Sequence, residues 1–208
     1  MKIRGFTLAE VLITLGVIGV VAAITVPVIM NNYKKQATVS KLKKVYSILN
    51  QAVKLSEIDN GLPSTWGADS QYEYFDRYWQ PYIKINKKCS NIHGRCGYSH
   101  VPWRCRNGQC IVYFDYGNSL GVGAMLIDGI FAYFTTNQVN VDINGLSGPN
   151  RFGKDVFRFE ISDLGIVPLG INEQYSVINN DCKVNGECSY CMAKIVKDGW
   201  QIKDDYPW

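Results

Sequence analysis

Residues 11–30 carry no charged side chain, and a helix of these twenty positions is about 30 Å long, the thickness of a bilayer's hydrocarbon core. Twelve of the twenty are Val, Leu or Ile, together worth roughly −4 to −7 kcal/mol on an insertion scale. Lys2 and Arg4 precede the run, and Glu10 stands at its mouth. An acidic side chain entering apolar surroundings costs up to about 3 kcal/mol, less near the interface. No residue within the segment can pair with it, so Glu10 requires a functional explanation.

The string GFTLAEVLITLGVIGVVAA, with Gly5-Phe6 followed by Glu10, closely resembles the prepilin-type cleavage and methylation segment of type IV pilins and type II secretion pseudopilins. The basic leader, Gly5, Phe6, Glu10 and the apolar run stand at that family's relative positions, and Pro27 falls where such subunits often carry a helix-loosening proline. The resemblance implies that a membrane aspartyl prepilin peptidase cuts after Gly5 on the cytoplasmic face and that the new amine of Phe6 is N-methylated. It implies a pilin-like fold and a single-pass inner-membrane location with an extracytoplasmic head, followed by release into an extracellular or periplasmic filament. The partners implied are further copies or other pilins, an inner-membrane assembly platform and membrane lipid.

Electrostatics gives Glu10 a role of its own. Cleavage leaves a positive amine on Phe6, and a carboxylate on an adjacent subunit gains by neutralising it where the dielectric is low. Within one helix Phe6 and Glu10 are an i, i+4 pair, so an intrachain contact competes. Two alternatives share the hydropathy. A secretory signal peptide would use Val21-Ala22-Ala23 for cleavage, but Glu10 suits its hydrophobic region poorly. A plain uncleaved anchor also fits, although Lys34 and Lys35 beyond the span weaken a simple positive-inside orientation.

After Met30 the pattern becomes amphipathic, with Leu42, Val45, Tyr46, Leu49, Ala52 and Val53 recurring at steps of three and four. Asn60-Gly61 and Pro63 supply a stop, predicting one long helix from residue 6 to about 58–60. The lysines on its other faces read as a solvated surface. The domain scheme is therefore a leader at 1–5, an apolar helix at 6–30, an amphipathic half at 31–60 and a head at 61–208.

Within the head, residues 61–109 are rich in aromatics without a clean period and are expected to form an irregular αβ-loop. Residues 110–116, 122–127 and 130–134 read as an antiparallel meander, with Asp128-Gly129 as a two-residue hairpin turn. Further strands are expected at 139–143, 156–161 and 191–196. A sheet laid on the amphipathic helix half makes the fold class α+β. Trp200, Tyr206 and Trp208 are expected to pack against that sheet.

All seven cysteines lie beyond residue 88, which suits an oxidising compartment. Spacing favours local bridges: Cys105 with Cys110 across Asn107-Gly108, then Cys89 with Cys96 and Cys182 with Cys191, leaving Cys188 over. Zinc competes, using Cys182, Cys188 and Cys191, or Cys89, His93, Cys96 and His100. A Cys-x-x-Cys redox site lacks a thioredoxin-like context. The stretch VDINGLSGPNRFGKDVF gathers Asp142, Asn144, Asn150 and Asp155 among glycines, oxygen donors that suit calcium on a flexible loop. It resembles a loop of prepilin-like sequences, and major pseudopilins bind calcium near their C-terminal region. The other reading is a multiple turn whose Asp and Asn side chains bond their own backbone.

The net charge of +4 is too mild to argue for nucleic acid. The chain has no nucleophile elbow, phosphate loop or metalloprotease helix. The expectation is a structural polymer subunit that is not an enzyme and requires no cofactor. The alternative is an uncleaved, membrane-tethered extracytoplasmic binding domain.

Overall fold

A helix of 53 residues, α1 (Leu8–Asn60), opens the structure, a computed structural model that describes residues 7–89, 96–98, 101–109, 111–112 and 121–208. The chain forms two units, Met1–Ala37 and Thr38–Trp208. In the first, every side chain from 7 to 34 is exposed, Ile18 at 63% and Ile24 at 67%. By length and composition this helix can cross a membrane.

In the second unit Val39, Leu42, Val45, Leu49, Ala52 and Val53 are buried along one face of α1, the stripe that steps of three and four predict. The helix stops where Gly61 takes φ 79°, a left-handed conformation that costs glycine little, and its N–H donates to Glu57 O at 2.9 Å. The Asn60 amide nitrogen reinforces this end by donating to Ser56 O at 3.1 Å and to Tyr82 Oη at 3.0 Å.

The elements that follow are α2 (Gln71–Tyr78), β1 (Ile85–Cys89), β2 (Trp103–Arg104), β3 (Ile111–Val112), β4 (Val122–Leu126), β5 (Phe131–Phe134), β6 (Gln138–Asp142), β7 (Val156–Ser162), β8 (Gly165–Pro168), α3 (Tyr175–Asp181) and α4 (Cys191–Lys197). Six strands form one antiparallel sheet in the order β1-β4-β5-β6-β7-β8, and β2 pairs separately with β3. The fold is α+β, a long apolar N-terminal helix followed by a sheet. The β4–β5 connection turns on Asp128 (φ 66°) and Gly129 (φ 74°), but it is three residues long, Ile127–Gly129, and not the expected two-residue turn: Met125 pairs with Phe131, and Leu126 N–H donates to Ile130 O at 2.7 Å. The sheet's inward residues Phe134, Val139, Val141, Phe157 and Phe159 join the α1 stripe in one core.

Three further expectations need correction. Residues 191–196 are not a strand but helix α4, in which Lys194 N–H bonds Tyr190 O at 3.0 Å. Cys191 through Ile195 are all buried, and a short apolar run without alternation carries no period to separate strand from helix. Second, the stretch 61–109 is more regular than an irregular loop. Ser70 caps α2 by accepting from Glu73 N–H at 3.1 Å, while Glu73 reaches back to Asp69 N–H at 3.1 Å. Tyr74, Phe75 and Tyr78 form the buried face of α2, and β1 then joins the main sheet beside β4. Third, Ile111 and Val112 pair with β2 and not with β4; Cys110 and residues 113–116 lie outside the described residues. The C-terminal aromatics join the same core, Tyr206 buried within it and Trp200 and Trp208 packed against it; Trp200 meets Tyr46 of α1 edge-on, with ring centroids 5.6 Å apart, and Tyr206 donates to Gly153 O at 2.6 Å. Trp208 is only partly buried, with the Lys154 ammonium 5.5 Å from its ring.

Leu49 is fully buried in the centre of the stripe, so Leu49→Ala should destabilise the head by about 2–5 kcal/mol. Urea unfolding of the full-length chain in detergent, followed by tryptophan fluorescence, measures it.

Candidate functional site

The first candidate site is the start of α1. Thr7 is its N-cap: Thr7 Oγ1 accepts from Glu10 N–H at 3.3 Å. Glu10 Oε2 in turn accepts from both Thr7 N–H and Thr7 Oγ1–H, each at 2.8 Å. Thr7-Leu8-Ala9-Glu10 is thus a closed capping box, a signal that the sequence reading of Glu10 passed over. Both bonds fall on Oε2, which leaves Oε1 without an acceptor role toward the described residues. Gly5 and Phe6 lie outside the described residues.

The second is the loop from Asp142 to Asp155, whose carboxylates are buried at 0% and 3% exposure. Asp142 Oδ2 accepts from Tyr98 Oη–H and Trp103 Nε1–H, both at 3.2 Å, and Asp142 Oδ1 accepts from Asn144 N–H at 3.2 Å. Asp155 Oδ1 accepts from Arg151 N–H at 2.6 Å, and Asp155 Oδ2 accepts from Asn150 N–H at 2.8 Å. With its amide turned to face acceptors, Asn150 also donates to Asp142 Oδ2 and to Ser147 O, each at 3.2 Å. The structure therefore brings Asp142, Asn144, Asn150 and Asp155 together, but as turns that satisfy one another. Every carboxylate oxygen already faces an N–H or O–H donor, which suits a calcium ligand set poorly. Among the described residues no group of three or more His, Cys, Asp and Glu could hold a metal.

Asp142 also ties the sheet to the cysteine-rich segment through Tyr98 and Trp103. Burial above all, and then the charge of Asp155, pushes its carboxyl up to about 8, against the pull of its three donors. The Asp155 carboxyl is raised too, mainly by burial.

Cys89 and Cys96 are joined with Cα atoms 5.3 Å apart, and Cys182 and Cys191 with Cα atoms 5.0 Å apart. Cys105 is also disulfide-bonded, while Cys110, its expected partner, lies outside the described residues. Cys188 is free and buried, its thiol pushed up to about 12 by burial first and by Asp181 second, so it is a poor nucleophile at neutral pH. With Cys182 and Cys191 bonded to each other, the sulfur set of the zinc reading at this end is spent. His93 and His100 of the other set lie outside the described residues.

Sequence reasoning missed Lys194. It is fully buried, donates to Asp205 Oδ2 at 2.7 Å and to Tyr175 Oη at 3.1 Å, contacts Asn179 Oδ1, and pairs with Asp198 at 3.5 Å. It ties α3, α4 and the C-terminal tail to one ammonium. Its signal in the sequence is a lone lysine inside the apolar run Cys191-Met192-Ala193-Lys194-Ile195-Val196.

The prokaryotic N-terminal methylation motif, the signature of type IV pilins and pseudopilins, matches residues 1–26. A family of unknown function, DUF6613, matches residues 28–208. No curated protein and no solved structure matches the chain.

A group whose carboxyl is raised on folding stabilises the fold fully below its unfolded pKa, near 4, and loses that contribution as pH rises through the folded value. For Asp142 that window runs from about 4 to about 8. The melting temperature of the full-length chain in detergent should show a component that falls across this window, and Asp142→Asn should flatten it. A separate effect is expected of Lys194→Ala, which leaves the buried Asp198 carboxylate with less compensation and should cost about 3–5 kcal/mol in the same unfolding measurement.

Proposed function

Since the chain belongs to the family of unknown function DUF6613 and opens with the N-terminal methylation motif, we propose that it is a structural subunit of a type IV pilus-like or type II secretion filament. The observation that carries this reading is Glu10, an acid at the mouth of a helix whose apolar side chains from 11 to 30 are all exposed. Motif and fold alike point to a structural subunit and not to an enzyme. Peptidase cleavage after Gly5 frees the Phe6 amine. In the membrane that amine and the Glu10 carboxylate of a neighbouring copy are both costly alone and cheaper together. Because the capping box uses only Oε2, Glu10 can keep its own helix start and offer Oε1 to the incoming amine. The apolar surfaces of residues 11–30 then exchange lipid for one another as the subunit leaves the bilayer. The head stands on the extracytoplasmic side, and the assembly platform acts from the inner membrane.

The loop from Asp142 to Asp155 holds its shape in this proposal without a cation, and no cofactor is required. Calcium that raises the melting temperature of the full-length chain, reversed by chelator, would overturn that part.

Mass spectrometry of the mature protein should find an N-terminus at methylated Phe6. An intact Met1, or a start after Ala23, points instead to a tethered domain or a signal peptide. Glu10→Gln should reduce sheared, pelletable fibre to background while the variant keeps the wild-type melting temperature; fibres in normal amount from that variant sink the role given to Glu10.

A further inference from the structure

On the filament reading above, the structure assigns the heads a lateral contact of their own: the β7–β8 turn of one copy seats in a groove beside β1 of the next. The turn is the protruding half. Leu164 is 85% exposed, more than any other large apolar side chain among the described residues, and Asp163 beside it is also exposed. The turn is firmly mounted, because Asp163 Oδ1 accepts from Ser64 N–H at 2.8 Å and Ile166 N–H donates to Asn50 Oδ1 of α1 at 3.0 Å. A rigid, solvent-facing leucine has no use within its own head.

The receiving half is an apolar groove of about 220 Å³ lined by Ile48, Leu55, Tyr82, Leu126 and Ile127, with Lys84 at its side. Leu55 and Ile127 are 50% and 42% exposed there. Lys84 is exposed and makes no ion pair with the described residues. Leucine fits the groove by chemistry, and Asp163 next to it meets Lys84 by charge.

Their placement makes the occupant a second copy. The groove adjoins β1 and the turn adjoins β8, the two opposite edges of the six-stranded sheet, so no head can fill its own groove. Both halves lie at one level of α1, the turn against Asn50 and the groove against Ile48, Gln51 and Leu55. At ~100° per residue the groove side of α1 and the turn side lie roughly 110–130° apart, on either flank of its exposed stripe. A knob on one flank and a hole on the other define a head-to-tail contact, which repeats without limit when the rotation does not close.

Full-length chain carrying Leu164→benzoylphenylalanine is illuminated in fibre-producing cells, and the adducts are mapped by mass spectrometry. The expected product is a dimer and higher ladder, crosslinked to Ile48, Leu55 or Ile127 of a second copy and absent when Glu10→Gln is combined with it. Asp163→Lys and Lys84→Asp should each lower pelletable fibre at least tenfold, and the two together should restore it; Lys84→Asp keeps the wild-type melting temperature, whereas the drop that Asp163→Lys causes by losing the Ser64 N–H bond persists in the double variant, so restored fibre reports the charge pair. Fibres that form with no such adduct, adducts only to a different protein, or charge variants that polymerise normally overturn this contact and leave the filament reading standing. Wild-type cells that yield no fibre overturn both.

Discussion

Everything in this chain is arranged around an apolar surface that cannot remain in water. The side chains of residues 7–34 are exposed in the folded protein, and the apolar ones among 11–30 are not buried by any of the described residues. On the filament reading proposed above, lipid covers them at first and only other apolar helices offer a comparable solvent. In lipid the hydrophobic effect gives no preference for one over the other, so the choice falls to polar groups, whose desolvation costs several kcal/mol each. One carboxylate in an otherwise uncharged stretch is thus a stronger determinant of assembly than twelve aliphatic side chains.

The same helix changes character within a few turns. From Val39 to Val53 its buried apolar residues form one stripe that joins the core with the sheet. The head is then closed by polar clasps at its irregular parts: Asp142 gathers Tyr98 and Trp103, and Lys194 gathers Asp198, Asp205 and Tyr175. Two disulfides staple the segments near these clasps, Cys89–Cys96 and Cys182–Cys191. Loops that lack an apolar face of their own are held by a few strong, buried interactions.

The parts legible in the sequence are those with a period or a strict steric demand. The α1 stripe, its end at Asn60-Gly61 and strands β4 to β7 carry such marks, and Asp128-Gly129 marks the place of the β4–β5 turn though not its three-residue length. α4 was misread because burial on all sides erases the period, and β8 was passed over because four residues, Gly165–Pro168, are too few to show one. α2 had a signal, Ser70 and Glu73 three apart, that the surrounding aromatics obscured. At the N-terminus the acid stands out by its charge, whereas its uncharged partner Thr7 does not. In the loop from Asp142 to Asp155 the oxygen-rich composition was visible, but which donors would face those oxygens depends on Tyr98 and Trp103, some forty residues away in sequence.

If the chain is stacked in filaments as proposed, it must also avoid stacking in the wrong way. An open sheet invites addition of strands at its margins, the route to amyloid. Here the margin at β1 bears Asn86, Lys87 and Lys88, with Lys88 held by Asp76, and the margin at β8 ends in Pro168, which has no N–H to donate. Backbone-to-backbone growth is blunted at both borders of the head. In the proposed filament, elongation is left to surfaces that need processing and a membrane before they can meet, which keeps the timing of fibre growth with the cell.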